Sequence, residues 1–245
     1  MTILTNASVV APRFFALIPA AGVGSRMGAA CPKQYLELLG KPVLRYALEA
    51  FGTCDEIEGI YVLISQEDDW FNAFLASWPD LDAGRVRFLR CGGATRRETV
   101  LNGLDALFRE CAPDDWILVH DAARPGLTPA LIQRLIHAVA DDKAGDKTGG
   151  LLALPVVDTV KRQGKNGLET VSRDGLWLAQ TPQMFRYAIL REALEKNGNV
   201  TDEAGAVEAM GLTPHLVEGH LRNTKITRPA DLALVEMFLK ADRDF

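Results

Sequence analysis

The stretch Phe14-Phe15-Ala16-Leu17-Ile18-Pro19-Ala20-Ala21-Gly22-Val23-Gly24-Ser25-Arg26-Met27, followed shortly by Pro32-Lys33, decides how the rest of the chain is read. Its first five residues form a short apolar run stopped by proline, which predicts a buried strand of an α/β sheet rather than a helix. Beyond Pro19, the residues Ala20, Ala21, Gly22 and Gly24 have little or no side chain, so backbone N–H groups can converge on a phosphate. Two familiar phosphate motifs fail here: Met27 stands where G-x-G-x-x-G needs its third glycine, and it also breaks G-x-x-x-x-G-K-[ST]. What remains is a loop of small residues with two cations, Arg26 and Lys33. Pro32 stiffens the backbone from which Lys33 departs. A stiff cation beside a phosphate cradle suits stabilisation of charge on a reacting phosphate. The plainer alternative is a strand-to-helix turn with two solvated charges.

Outward from this loop the chain alternates strand and helix patterns. Val43, Leu44, Ala47, Leu48 and Phe51 mark one face of a helix opening behind Pro42 and closing at Gly52. A β-branched run from Ile57 to Ile64 predicts a second strand, and Val86 to Leu89 a third. Between them Gln66 to Trp78 reads as a helix, with Ser65 as N-cap and Glu67, Asp68 and Asp69 in its first turn. The βαβαβ order predicts a doubly wound, mostly parallel α/β sheet. Later segments predict helices from Tyr187 to Leu194 and from Thr201-Asp202-Glu203 to Met210, then a strand from Pro214 to Val217. A last amphipathic helix follows, from Pro229 to Lys240, with Leu232, Leu234, Val235 and Phe238 inward.

Composition narrows the function. The 245 residues are 48% hydrophobic and 24% charged, ordinary for a globular protein, and show no repeat or second domain. A net charge of −5 without a long basic run argues against general nucleic-acid binding and leaves room for a local cationic pocket. No apolar run is long enough to span a bilayer and no signal peptide opens the chain, so no membrane association is expected. Cys31, Cys54, Cys91 and Cys111 lack metal-ligand spacing and read as thiols of a reducing, cytoplasmic compartment.

Two further motifs fall where ligands bind in open α/β sheets, beyond the carboxyl ends of strands. Cys91-Gly92-Gly93-Ala94-Thr95-Arg96-Arg97-Glu98-Thr99 enters a helix whose apolar face is Val100, Leu101, Leu104, Leu107 and Phe108. It is either a surface for a flat base or ribose, or a tight turn with a helix cap. The strand Trp116 to His120 delivers Asp121 in His120-Asp121-Ala122-Ala123-Arg124-Pro125, a carboxylate placed to hold Mg²⁺ against a nucleotide's phosphates. Arg124 reads as a brace and His120 as a packed ring. Thr128 and Pro129 supply the next helix with its own cap. Leu151 to Val157 predicts a strand that Asp158 to Arg162 continues, and Asn166-Gly167 signals a hairpin. Thr181, held before Pro182, offers a rigid hydroxyl for a polyol or phosphate, or else a helix start.

Leu17-Ile18-Pro19-Ala20-Ala21-Gly22-Val23-Gly24-Ser25-Arg26-Met27, with Pro32-Lys33-Gln34-Tyr35, resembles the signature of nucleotidyltransferases that activate a phosphorylated sugar or polyol. The closest resemblance is to the 2-C-methyl-D-erythritol 4-phosphate cytidylyltransferase family, over about Phe14 to Leu239 and six separated motifs. It implies transfer of CMP from CTP to the phosphorylated polyol with release of pyrophosphate, Mg²⁺ as cofactor, and Arg26, Lys33 and Lys225 as charge-neutralising cations. It also implies nucleotide contacts from Pro19, Ala20, Ala21, Gly22, Gly24, Gly93, Arg96 and Thr99, and a metal at Asp121. A β-arm at about 157–176 would embrace the second subunit of a homodimer, where Thr159 and Arg173, with Thr181 nearby, would hold the acceptor. Two positions depart from the pattern. Ala94 stands where relatives often have aspartate, and Arg222 precedes Asn223 where they often have Asp-Asn. A pentitol-phosphate cytidylyltransferase using ribitol 5-phosphate would keep nearly every one of these motifs. A dinucleotide-dependent oxidoreductase is disfavoured by Met27, and a non-catalytic nucleotide sensor would use the same pocket.

Overall fold

The structure, a computed structural model, describes residues 11–22, 31–140, 148–165 and 167–241. The chain opens with β1 (Phe14–Pro19) and, after a 3₁₀ turn at Lys33–Tyr35, a small ribbon of β2 (Glu37–Leu38) and β3 (Lys41–Pro42). Then come α1 (Val43–Gly52), β4 (Ile57–Ile64), α2 (Phe71–Ala76), β5 (Val86–Arg90), α3 (Arg96–Ala106), β6 (Trp116–Val119) and α4 (Pro129–Ala140). The second half holds β7 (Gly149–Pro155), the arm strands β8 (Val160–Gly164) and β9 (Gly167–Val171), and β10 (Trp177–Arg186). It closes with α5 (Tyr187–Lys196), α6 (Glu203–Glu208), β11 (His215–Glu218) and α7 (Pro229–Ala241).

Seven strands form the main sheet in the order β11-β7-β10-β6-β1-β4-β5. β10 runs antiparallel to both its neighbours, and the other pairings are parallel. Alternation along the strands fills two cores. Ala16 and Ile18 of β1, with Trp116 and Leu118 of β6, face α1 and α4, while Phe15, Leu17, Ile117 and Val119 face α3, α5 and α6. A strand covered on both faces must be apolar at every position, which is why β1 and β6 read as unbroken hydrophobic runs. A smaller cluster of Leu38, Val43, Ala123, Ile226, Val235 and Leu239 seats α7 beside β2.

Several expectations need correction. The helix expected from Gln66 to Trp78 is confined to Phe71–Ala76. The Asp68 carboxylate accepts the N–H groups of Trp70 and Phe71 (both 3.1 Å) and the Tyr35 hydroxyl (2.8 Å), so this aspartate, not Ser65, organises the turn before the helix. The strand expected to run on through Arg162 breaks instead. β7 leaves the sheet where Pro155 pairs Trp177, and β8 belongs to a separate ribbon with β9. That ribbon's register closes at Gly164 opposite Gly167; Asn166, on which the hairpin signal rests, lies outside the described residues. Phe108 is 67% exposed because α3 ends before it, and on α7 the buried pair is Val235 and Leu239, with Leu234 facing outward.

Candidate active site

After β1 the chain crosses to β4 and β5 on one side of it and later returns to β6 on the other, so the strand order reverses beside β1. A cleft of about 480 Å³ opens there, beyond the carboxyl ends of β1, β5 and β6. Pro19, Ala20, Ala21, Gly22, Lys33, Gly93, Arg96, Thr99, Asp121 and Lys225 all line it, so ten of the expected site residues are brought together. Arg26 and Gly24 lie outside the described residues.

The wall from β1 is held by backbone bonds and one buried amide. The Ala20 N–H donates to the Leu63 carbonyl (2.8 Å), and Gln34, 3% exposed, donates from Nε2 to the carbonyls of Ala20 (2.7 Å) and Gly22 (3.2 Å). Opposite, Gly92 is required by contact. A Cβ there would sit 2.5 Å from the Ala21 Cβ and 3.0 Å from the Ile64 carbonyl oxygen, so the two loops approach this closely only without a side chain. Thr95 caps α3 in a reciprocal box with Glu98, and the Glu98 carboxylate also takes the Ala94 N–H (2.9 Å). The Thr99 hydroxyl accepts from Gly93 N–H (3.0 Å) and donates to the Thr95 carbonyl (2.9 Å), so it shapes this loop.

At the floor stands Asp121, encircled by cations. Oδ1 is 3.1 Å from Arg96 Nε, and Oδ2 is 3.3 Å from Arg124 Nε and 2.8 Å from Lys225 Nζ. Burial alone would raise this carboxyl's pKa, but Arg96, Lys225 and Arg124 outweigh it and hold the group well below the usual carboxylate range. For Arg96, burial works against the charge, yet Glu203 and then Asp121 raise its pKa further. Arg124 is the expected brace, donating also to the Asn223 carbonyl (2.8 Å) and the Ala179 carbonyl (3.4 Å).

A chain of hydrogen bonds fixes Asp121 from behind. Its N–H donates to Thr181 Oγ1 (3.0 Å), that hydroxyl lies 3.0 Å from His120 Nδ1, and His120 Nε2 lies 3.2 Å from the Arg124 carbonyl. A carbonyl only accepts, so Nε2 carries the proton and Nδ1 receives the Thr181 hydroxyl hydrogen. Burial of the packed ring lowers its pKa to about 4, which keeps it neutral. Thr181 therefore spends its hydroxyl inside the protein and does not line the cleft; it lies within β10, not at a helix start. Thr159 and Arg173 are exposed on the arm away from the cleft lining, and Arg173 donates to the Val157 carbonyl. Arg222 turns to the Gly126 carbonyl (3.0 Å) and is also absent from the lining.

Glu203 escaped sequence reading. Its carboxylate, 1% exposed, takes Arg96 Nη1 at 2.6 Å and Nη2 at 3.0 Å. Nothing in its motif beyond an acid after the Asp202 cap pointed to an arginine 107 positions earlier.

The donor set bears on Mg²⁺. Among the described residues no group of three or more His, Cys, Asp or Glu side chains is placed to hold a metal, and Asp121 is the one carboxylate lining the cleft. A magnesium ion carried by nucleotide phosphates keeps several waters and needs only one or two protein carboxylates. The Lys225 ammonium on Oδ2, its side chain 34% exposed, already occupies a cation's place there, so the site fits such an ion.

A doubly wound sheet with a small-residue phosphate turn and a cation-ringed aspartate at its switch point defines a nucleotidyltransferase of the α/β class. The model of the family 2-C-methyl-D-erythritol 4-phosphate cytidylyltransferase matches residues 14–241, and the chain belongs to this family. A protein of that name from Dechloromonas aromatica is 51% identical over 94% of this chain and 99% of its own length. One from Azoarcus sp. is 50% identical over 93% and 94%. The crystal structure of the Francisella tularensis 2-C-methyl-D-erythritol 4-phosphate cytidylyltransferase superposes with a TM-score of 0.77 at 34% identity, covering 92% of this chain and 99% of that one.

Proposed function

We propose that the chain transfers CMP from CTP to 2-C-methyl-D-erythritol 4-phosphate and releases pyrophosphate, in the synthesis of isoprenoid precursors. The observation that carries this reading is Asp121 ringed by Arg96, Arg124 and Lys225 at the floor of a cleft walled by Ala20, Ala21 and Gly22. Membership of the family supplies the substrates, and the names of the relatives favour methylerythritol phosphate over a pentitol phosphate.

An oxygen of the acceptor phosphate attacks the α-phosphorus of CTP in line, the bond to the β-phosphate oxygen breaks, and pyrophosphate leaves. The attacking phosphate is already ionised at neutral pH, so no general base is required. The backbone after β1 cradles the triphosphate, and Gly93, Arg96 and Thr99 border the base and ribose. Lys33, Lys225 and Arg26 neutralise charge on the non-bridging oxygens and the leaving group. Asp121 would hold Mg²⁺, which supplies Lewis-acid neutralisation of the triphosphate.

The acceptor's phosphate meets Thr159 and Arg173 from a second subunit. A two-stranded ribbon is marginal alone in water, and around β8 and β9 the side chains of Val157, Leu168 and Leu178 are 71%, 65% and 59% exposed, which supports pairing of the arm in a homodimer. Four free cysteines without a disulfide accord with a cytoplasmic protein, and no helix among the described residues is long and apolar enough to cross a membrane.

Label in the α-phosphate of CTP tests the transfer. It should pass into a diphosphate-linked methylerythritol, whereas label ending only in free CMP would contradict the reading.

A further inference from the structure

We propose that Glu203 is a positioning residue for the nucleotide: its buried carboxylate sets the pose in which the Arg96 guanidinium meets both the cleft and Asp121. This rests on the reading of the cleft as a CTP site.

A carboxylate this deeply buried is costly unless its oxygens are fully paired. Here both are, since Arg96 Nη1 and Nη2 meet them at 2.6 and 3.0 Å in a bidentate fork. Arg96 commits a third N–H, on Nε, to Asp121 Oδ1 at 3.1 Å. Three of its five donors are thus fixed by two acids on different elements. The guanidinium plane has no freedom left.

The separation of those two acids is set by the sheet. Gln183 on β10 lies opposite Val119 of β6, two residues before Asp121. Its Nε2 donates to Asp202 Oδ2 (2.8 Å) and its Oε1 accepts the Ala204 N–H (2.8 Å), which fastens the first turn of α6 to the strand beside the one delivering Asp121. Arg96 spans a gap defined by one hydrogen-bonded strand pair. Without the Glu203 charge, the guanidinium keeps only Asp121. It then turns its fork onto that carboxylate, competing with Lys225 and withdrawing from the cleft it lines.

A purely structural ion pair would not distinguish between the two substrates, and this role does. Glu203→Gln should weaken Mg-CTP binding by calorimetry, and raise KM for CTP, by about tenfold, the loss of one charge-assisted partner. KM for the acceptor should stay within about twofold of wild type, well under a single charged contact. In an Arg96→Gln background the same change should add nothing, because its route is gone. Glu203→Asp keeps the charge one methylene short and should recover part of the loss; it carries the test if Glu203→Gln does not fold. Wild-type CTP affinity in Glu203→Gln, an equal rise in both KM values, or an undiminished further loss in the Arg96→Gln background would each overturn the proposal. Failure of the wild type itself to bind CTP would instead overturn the reading of the cleft, and this role with it.

Discussion

Lys33 shows what one residue contributes. It leaves a proline-stiffened backbone to line the same cleft as Asp121 and Lys225, a place from which it can follow charge developing on the transferred phosphate. Lys33→Ala should lower kcat by about 10² to 10³, the range for one transition-state donor, with a smaller effect on KM for CTP. Steady-state kinetics decide it, and an unchanged kcat removes Lys33 from the chemistry. His120 makes a different prediction, about pH. Its folded pKa, about 4, lies below the value of 6.5 for a free imidazole, so the unfolded chain protonates first as pH falls. The ring's contribution to stability is complete above 6.5 and shrinks toward 4. Between pH 7.5 and 5 this group alone should remove about 2 kcal/mol from the urea-unfolding free energy. His120→Gln should flatten that part of the profile, and an unaltered slope would contradict it. Asp121, Arg96 and Lys33 were legible as residues of one cleft because each sits in a short contiguous motif, the first two just past strand ends and Lys33 at the turn opened by Pro32. Glu203 was not, since its meaning lies in a contact across 107 positions. Thr181 was legible as a rigid hydroxyl but not in its direction, which only the neighbouring His120 and Asp121 N–H settle.

Among elements, α3 depends most on its first turn. Thr95 and Glu98 satisfy each other's backbone donors just where Arg96 enters the cleft, so the cap sets where the arginine starts. Thr95→Ala should cost about 1 kcal/mol, read as a lower urea midpoint at unchanged m-value. A midpoint equal to wild type would mean that Glu98 and solvent replace the cap. Periodicity located α1 well because it has one broad apolar face against the sheet, and for α4 the Thr128-Pro129 start signal marked its first residue. It overextended α2, where Asp68 offers the backbone a local partner that competes with the helix. The break between β7 and β8 was hidden for a related reason. The apolar run from Leu151 continues past Pro155 into Val156 and Val157, while the pairing partner changes from β10 to β9, and a partner exchange leaves no mark in such a run.

At the scale of the molecule, strand alternation foretold a doubly wound sheet but not that β10 would run antiparallel between β6 and β7, because long-range pairing is decided by the assembled core. The arm extends this question beyond one chain. If Arg173 serves the neighbouring site, Lys33→Ala and Arg173→Ala subunits, each poorly active alone, should complement when mixed. Random pairing in a two-fold dimer leaves about a quarter of the sites intact. Activity no higher than the sum of the two variants would place Arg173 outside the partner's site. The most direct test of the account as a whole is pyrophosphate release from CTP and Mg²⁺, with 2-C-methyl-D-erythritol 4-phosphate, ribitol 5-phosphate or no acceptor run in parallel. Turnover with the methylerythritol phosphate alone is the predicted result; turnover with ribitol 5-phosphate instead, or none with either, would contradict it.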